Sequence, residues 1–180
     1  MKPSEPLPVK LFCGVLFSDE KLRDCAYQRL QERFGPVDYR SPVFPFDCTD
    51  YYRDEMGWPI DRQFISLFSL ISPKELPEIK IACNQIEDEL APSGRKVNLD
   101  AGYLDYDKVV LASAKYNAHK IYLDHGIYAD LTLSFHRGVF EPSAYAFPDF
   151  KSGAYNSVFF HIRCKYKGQM RRWLSENQVK

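Results

Sequence analysis

The stretch KIYLDHGIYADLTLSF, Lys120 to Phe135, decides the fold class. Asp124-His125-Gly126 is a turn signal between two short runs of strand formers, so Lys120 to Leu123 and Ile127 to Phe135 read as the arms of a hairpin. In the second arm Ile127, Ala129, Leu131, Leu133 and Phe135 alternate with Tyr128, Asp130, Thr132 and Ser134. That period of two describes an antiparallel sheet with one core face and one polar face.

Upstream of the hairpin, strand and helix patterns alternate. Val9 to Phe17 is a short apolar run and reads as a central strand buried on both faces. Ser18 is placed as the N-cap of a helix carrying Leu22, Cys25, Ala26, Leu30 and Phe34 at helical spacing, which Gly35-Pro36 ends. Val37 to Phe46 is a second strand, and Pro42 and Pro45 confine it to an edge. Phe64 to Ile71 reads as a strand. Ser72-Pro73-Lys74-Glu75 opens a helix with Ile79, Ala82, Cys83, Ile86 and Leu90 on its apolar side, stopped by Ala91 to Gly94. Lys96 to Leu104 is a further strand, Asp105 to Lys115 a helix, and 152–176 a long C-terminal helix weakened by Gly168. The expected fold is α/β (α+β), a single-domain sandwich over 1–180 with a mixed or antiparallel sheet, ferredoxin-like in its specific form. A doubly wound parallel sheet does not accommodate the hairpin. Residues 1–8 read as a flexible N-terminal arm.

The composition bounds the function. The 180 residues hold 24 Lys+Arg and 24 Asp+Glu, with 15% aromatics. Zero net charge argues against extensive nucleic-acid binding. No apolar run approaches the ~20 residues that span a bilayer, and MKPSEPLPVK is no signal peptide, so a cytoplasmic location is expected. The neutrality is a sum of two opposed halves: residues 1–90 carry 11 Lys+Arg against 16 Asp+Glu, residues 91–180 carry 13 against 8. Among the five cysteines there is no Cys-x-x-Cys. Cys13, Cys25 and Cys83 read as buried, inert thiols, and Cys48 among polar residues has no histidine nearby to activate it.

No phosphate-loop, dinucleotide, nucleophile-elbow or zincin signature occurs. Two polar-aromatic blocks stand out instead. Phe44-Pro45-Phe46-Asp47-Cys48-Thr49-Asp50-Tyr51-Tyr52 sets carboxylates beside phenols and a hydroxyl, a set able to bond ligand hydroxyls or, through Asp47 and Asp50, a divalent cation such as Mg²⁺. In Val97-Asn98-Leu99-Asp100-Ala101-Gly102-Tyr103, Asn98 and Asp100 share the face opposite Val97 and Leu99, and a bend at Gly102 would bring Tyr103 to the rim. Lys115 and His119 flank a turn where an anionic group could bind, and Asp130 shares a sheet face with Thr132.

Asp130-Leu131-Thr132 repeats the Asp-x-Thr order of Asp47-Cys48-Thr49, similar to the paired motifs of the two-histidine phosphoesterases with aspartate in place of histidine. More specifically, Pro42 to Asp47 with Thr49 to Tyr52, Ser72-Pro73 through Leu76-Pro77, Val97 to Asp100 with Gly102-Tyr103, and Gly126 to Ala129 resemble the bacterial domain-of-unknown-function 4416 family. The resemblance implies a stand-alone cytosolic domain and carries over no reaction or catalytic residues. Some members bear a GTP-binding label, which this sequence, without a phosphate loop, does not support.

The expected function is binding of a small molecule or nucleotide, a phosphorylated ligand, and possible catalysis on it. The cleft is expected to be lined by Asp47, Thr49, Asp50, Tyr51, Asn98, Asp100, Tyr103 and Asp130, with Lys115 and His119 at the anion. The alternative is a non-catalytic interaction module whose basic C-terminal helix, carrying Arg163, Lys165, Lys167, Arg171 and Arg172, meets an acidic protein, RNA or membrane surface. Oligomeric state is not encoded in these patterns.

Overall fold

The computed structural model describes residues 2–92 and 94–177. Ser93 of the expected helix stop and Lys180 of the basic tail lie outside the described residues. The elements are β1 (Val9–Phe17), α1 (Glu20–Phe34), β2 (Val37–Arg40), β3 (Phe44–Pro45), α2 (Arg53–Met56), β4 (Asp61–Ile71), α3 (Leu76–Glu89), β5 (Val97–Leu104), β6 (Lys108–Ser113), β7 (Ile121–Asp124), β8 (Ile127–His136), β9 (Val139–Pro142), α4 (Pro148–Lys151) and α5 (Asn156–Glu176). They build one nine-stranded sheet in the order β2-β4-β1-β5-β6-β8-β7, with β3 added to β4 and β9 to β8. All its pairings are antiparallel. The β1-α1-β2-β4-α3-β5 portion, with strand order β2-β4-β1-β5, is the ferredoxin-like arrangement. The β6-β8-β7 hairpins extend it on one side.

The core has two layers because β1 is buried on both faces. Leu11, Cys13, Val15 and Phe17 pack against Ala26, Tyr27 and Leu30 of α1 and Ile79, Cys83 and Ile86 of α3. Phe12, on the other face, packs with Phe64, Leu111 and Leu133 beneath Val158, Phe159, Ile162, Tyr166 and Met170 of α5. Burial drives the Cys13 thiol well above its ordinary range, with Cys83 adding to the shift, so it is inert.

Several expectations are corrected. Asp105 to Lys115 is a turn and a strand, not a helix. The Asp105 carboxylate accepts the N–H groups of Asp107 and Lys108 at 2.8 and 2.9 Å, closing a tight turn, and Val109-Val110 then favour the extended chain. Val37 to Phe46 is broken into β2 and β3, since Pro42 and Pro45 interrupt the ladder. Val139–Pro142, which lies outside every expected element, pairs with β8. The strict alternation of β8 fails at a register shift opposite Val109/Val110, leaving Leu131 44% exposed and burying Asp130 and Thr132. Asp19, not Ser18, caps α1 by accepting from the Lys21 and Leu22 amides. Cys25 is exposed. The C-terminal helix starts at Asn156, after the short α4.

Gly102 does not bend β5. Its hydrogen faces a crowded spot: a Cβ there would lie 2.6 Å from the Val110 carbonyl oxygen and 2.7 Å from Phe12 Cζ. Gly102→Ala should therefore cost about 1–3 kcal/mol by overpacking, read as a lowered urea midpoint. An unchanged midpoint would mean that β5 and β6 are free to separate there.

Candidate functional site

β5 and β6 pair only where Gly102 to Leu104 meet Val109 to Leu111. Beyond Gly102 the two strands part, and among the described residues no strand lies beside the Val97–Ala101 edge of β5 on that side. Charged side chains take the place of the missing strand. Lys80 Nζ donates to the Leu99 carbonyl at 2.7 Å, the Glu87 carboxylate accepts the Leu99 N–H at 2.8 Å, and Arg95 Nε donates to the Val97 carbonyl at 3.3 Å. Lys80, Asn84, Glu87 and Ala91 of the α3 segment fall on one helical face by their spacing, which aims them all at this opening. Glu87 lies 3.6 Å from Lys80 and pairs with Arg95, which also reaches Glu55 at 3.1 Å. Burial raises the Glu87 carboxyl above its ordinary range, and Lys80 and Arg95 only partly oppose it.

The opening is a cavity of about 840 Å³, within the range of small-molecule sites. One wall is built around Arg62, which is 5% exposed. Its guanidinium pairs with Asp149, also buried, and reaches Asp100 at 3.2 Å. Tyr155 donates to the Asp149 carboxylate at 3.1 Å, and Asn98 to Asp100 at 2.8 Å. Phe46, Phe64, Phe150 and Tyr155 surround the guanidinium carbon at 4.6 to 5.8 Å. Burial alone would lower the Arg62 pKa, but Asp149 and Asp100 outweigh it and hold the group above its ordinary value. Among the described residues, Arg62 Nε and Asp149 Oδ1 have no hydrogen-bond partner.

The opposite wall comes from β6, β8 and the loop between β6 and β7. Lys120 Nζ lies 3.3 Å from Asp130 and donates to Ser113 at 2.8 Å. His119 Nε2 is 3.4 Å from the other Asp130 oxygen, and its ring stacks on Tyr145 with centroids 4.4 Å apart. At the mouth, Lys115 sits 4.2 Å over the Tyr51 ring and donates to its hydroxyl, joining the 47–52 loop to the β6–β7 loop. Cys48 also lines the cavity. Burial, followed by the nearby Asp149, raises its thiol pKa, which does not suit a thiolate nucleophile at neutral pH.

Comparison with known protein families finds one model, described as a domain of unknown function (DUF4416), matching residues 7–166. The chain belongs to this family. The matched segment includes every residue of the cavity wall, from Phe46 to Asp149. No curated protein and no solved structure matches the chain.

Of the residues singled out in this DUF4416 sequence, Thr49, Tyr51, Asn98, Asp100, Lys115 and Asp130 line the cavity. The others do not. Asp47 and Asp50 are exposed on the loop outside it, and Asp50 pairs with Arg53 at 3.3 Å. Among the described residues, no group of three or more His, Cys, Asp or Glu side chains could hold a metal ion. Tyr103 lies on the α3 side of the sheet, beside Leu76 and Val110. His119 stands behind Asp130. Of the two Asp-x-Thr elements, Thr49 and Asp130 line the cavity, Asp47 is exposed, and the Thr132 hydroxyl donates to the Asp130 carbonyl at 3.1 Å.

Sequence reasoning missed Arg62, Lys80, Glu87, Arg95, Lys120 and Asp149. The α3 residues carried a readable signal in their four-three-four spacing. Arg62 and Asp149, 87 positions apart, carried none. On the C-terminal helix, Arg163 turns inward, its Nε donating to the Tyr106 carbonyl at 2.9 Å and its guanidinium lying over Phe135. Lys167, Arg171 and Arg172 remain exposed. No helix among the described residues is long and apolar enough to cross a membrane.

Proposed function

We propose that this domain binds a small phosphorylated molecule, nucleotide-sized or smaller, in the cavity between β5 and β6. The observation that carries the reading is the make-up of that cavity. Its volume suits such a ligand, its floor is a set of buried and mutually paired charges, and its mouth holds Lys115, which donates to the Tyr51 phenol. Ion pairs already fixed in a cavity wall present oriented donors and acceptors without the cost of ordering them on binding. Lys115, Lys120 and Ser113 would meet the phosphate. Tyr51, Tyr52 and Phe46 supply aromatic surface, and burial raises the Tyr52 phenol so that it stays protonated and able to donate.

Thermal-shift screening of the full chain with nucleoside monophosphates, sugar phosphates and divalent cations tests the proposal. At least one phosphorylated probe should raise Tm, and the rise should fall severalfold in Lys115→Ala and Lys120→Ala. No shift with any probe, or shifts indifferent to both substitutions, would remove the reading.

A further inference from the structure

The cavity is not a simple anion trap. Five cations line it against six carboxylates, so a naked polyanion would meet a net repulsive wall. The charges are also unevenly placed. The α3 wall sets Lys80 and Arg95 against Glu87, Glu55 and the exposed Asp88, and Lys80, Glu87 and Arg95 are further occupied by the β5 backbone. On the β6–β8 wall Lys115 and Lys120 face the single carboxylate Asp130. On the Arg62 wall one guanidinium faces two carboxylates, Asp100 and Asp149, and the buried Asp149 retains an oxygen without a partner. The site therefore has a positive end and a negative end.

Sheet geometry separates them. Leu111 is in register with both Gly102 of β5 and Asp130 of β8, so Asp130 lies two strands from β5, and Asp100 lies two residues further along β5. With strands about 4.8 Å apart and about 3.3 Å per residue, the backbone positions of Asp100 and Asp130 are about 12 Å apart.

We propose that the ligand carries an amino or other hydrogen-bond-donating group as well as its phosphate. The phosphate sits at Lys115 and Lys120, and the donor group at Asp100 and Asp149. The ligand class is an amine-bearing phosphomonoester, such as an amino-sugar phosphate or a nucleotide with an exocyclic amine. This rests on the phosphorylated-ligand reading and sharpens it, because a cavity with both signs of charge discriminates by the second group, not by the first.

Matched probes separate the two claims. Isothermal titration of the full chain would compare glucosamine 6-phosphate with glucose 6-phosphate, and AMP with IMP. In at least one pair the amine-bearing member should bind about 10-fold or more tightly, the scale of one charge-assisted hydrogen bond. Asp100→Asn, isosteric and on a carboxylate 28% exposed, should lose that preference while still binding the phosphate, with Tm measured alongside to establish that the variant is folded. Asp149→Asn provides the second variant and should act in the same direction. Equal affinities within both pairs would overturn the dipolar reading and leave phosphate binding standing. No binding of any of the four would overturn both. A preference that survives both aspartate substitutions would place the donor site elsewhere and overturn the assignment.

Discussion

Arg62→Ala is expected to lose about 3–5 kcal/mol of folding stability, the scale seen when one partner of a buried ion pair is removed. Two carboxylates, Asp149 and Asp100, depend on this guanidinium, and it is fully enclosed by four aromatic rings. Truncation leaves Asp149 charged and buried with only the Tyr155 hydroxyl as donor. It also leaves a hole among the rings, whose lining loses its contacts. The loss should be strongly non-additive with Asp149→Ala: once the carboxylate is gone, removing the guanidinium no longer strands a charge. Urea unfolding of the two single variants and the double variant gives the coupling. A loss below about 1 kcal/mol for Arg62→Ala would mean that the pair is solvated and the wall is not the buried structure described above.

Glu87→Ala should follow, at about 2–4 kcal/mol, reduced from the fully buried case because Arg95 is partly exposed. Glu87 does three things at once: it accepts the Leu99 N–H, pairs with Arg95 and lies beside Lys80. Its removal opens the substitute for the missing strand along β5. Its titration adds a pH signature. Burial places the folded-state pKa above the ordinary 4.5, so the folded chain holds this proton more tightly than the unfolded chain. Glu87 therefore contributes most at low pH, and the contribution is lost as pH rises from 4.5 through the raised folded value. Glu87→Gln cannot ionise. The stability of the wild type relative to Glu87→Gln should fall as pH rises across that window, measured by urea midpoints between about pH 4 and 7. A difference that stays constant or rises would contradict the direction.

Most of the sheet was legible because its strands carry local signals. The Asp124-His125-Gly126 turn, with His125 and Gly126 both at positive φ, fixed the hairpin. The apolar run of β1 fixed one central strand, while Phe64 to Ile71, open to helix or strand by its pattern, was assigned to β4 on its length. Lys108–Ser113 was misread because Val-Val-Leu-Ala packs on a helix or a strand, and only the Asp105 turn and the pairing with β8 decide between them. The alternation in β8 broke at a register shift, which is a property of the pair of strands and not of either sequence.

The site divides in the same way. Thr49, Tyr51, Asn98 and Asp100 lie in compact polar-aromatic blocks and were visible. Arg62 with Asp149, and Arg95 with Glu55 and Glu87, are contacts between distant segments. The opposed charges of the two halves of the chain were nevertheless a trace of the second set: Arg95 in the basic half meets Glu55 and Glu87 in the acidic one. Arg62 with Asp149 runs against that asymmetry, a cation of the acidic half meeting an acid of the basic half. Part of the separation in sequence is closed by folding, around the walls of one cavity.

The most direct test of the account is an amide chemical-shift titration of the full chain with AMP and glucosamine 6-phosphate. The account predicts saturable shifts at Ser113, Lys115, Lys120 and Asp100 with at least one of the two probes, lost in the Lys115→Ala/Lys120→Ala double variant. Shifts confined to the exposed Lys167, Arg171 and Arg172 of α5, or no shifts with either probe, would contradict it.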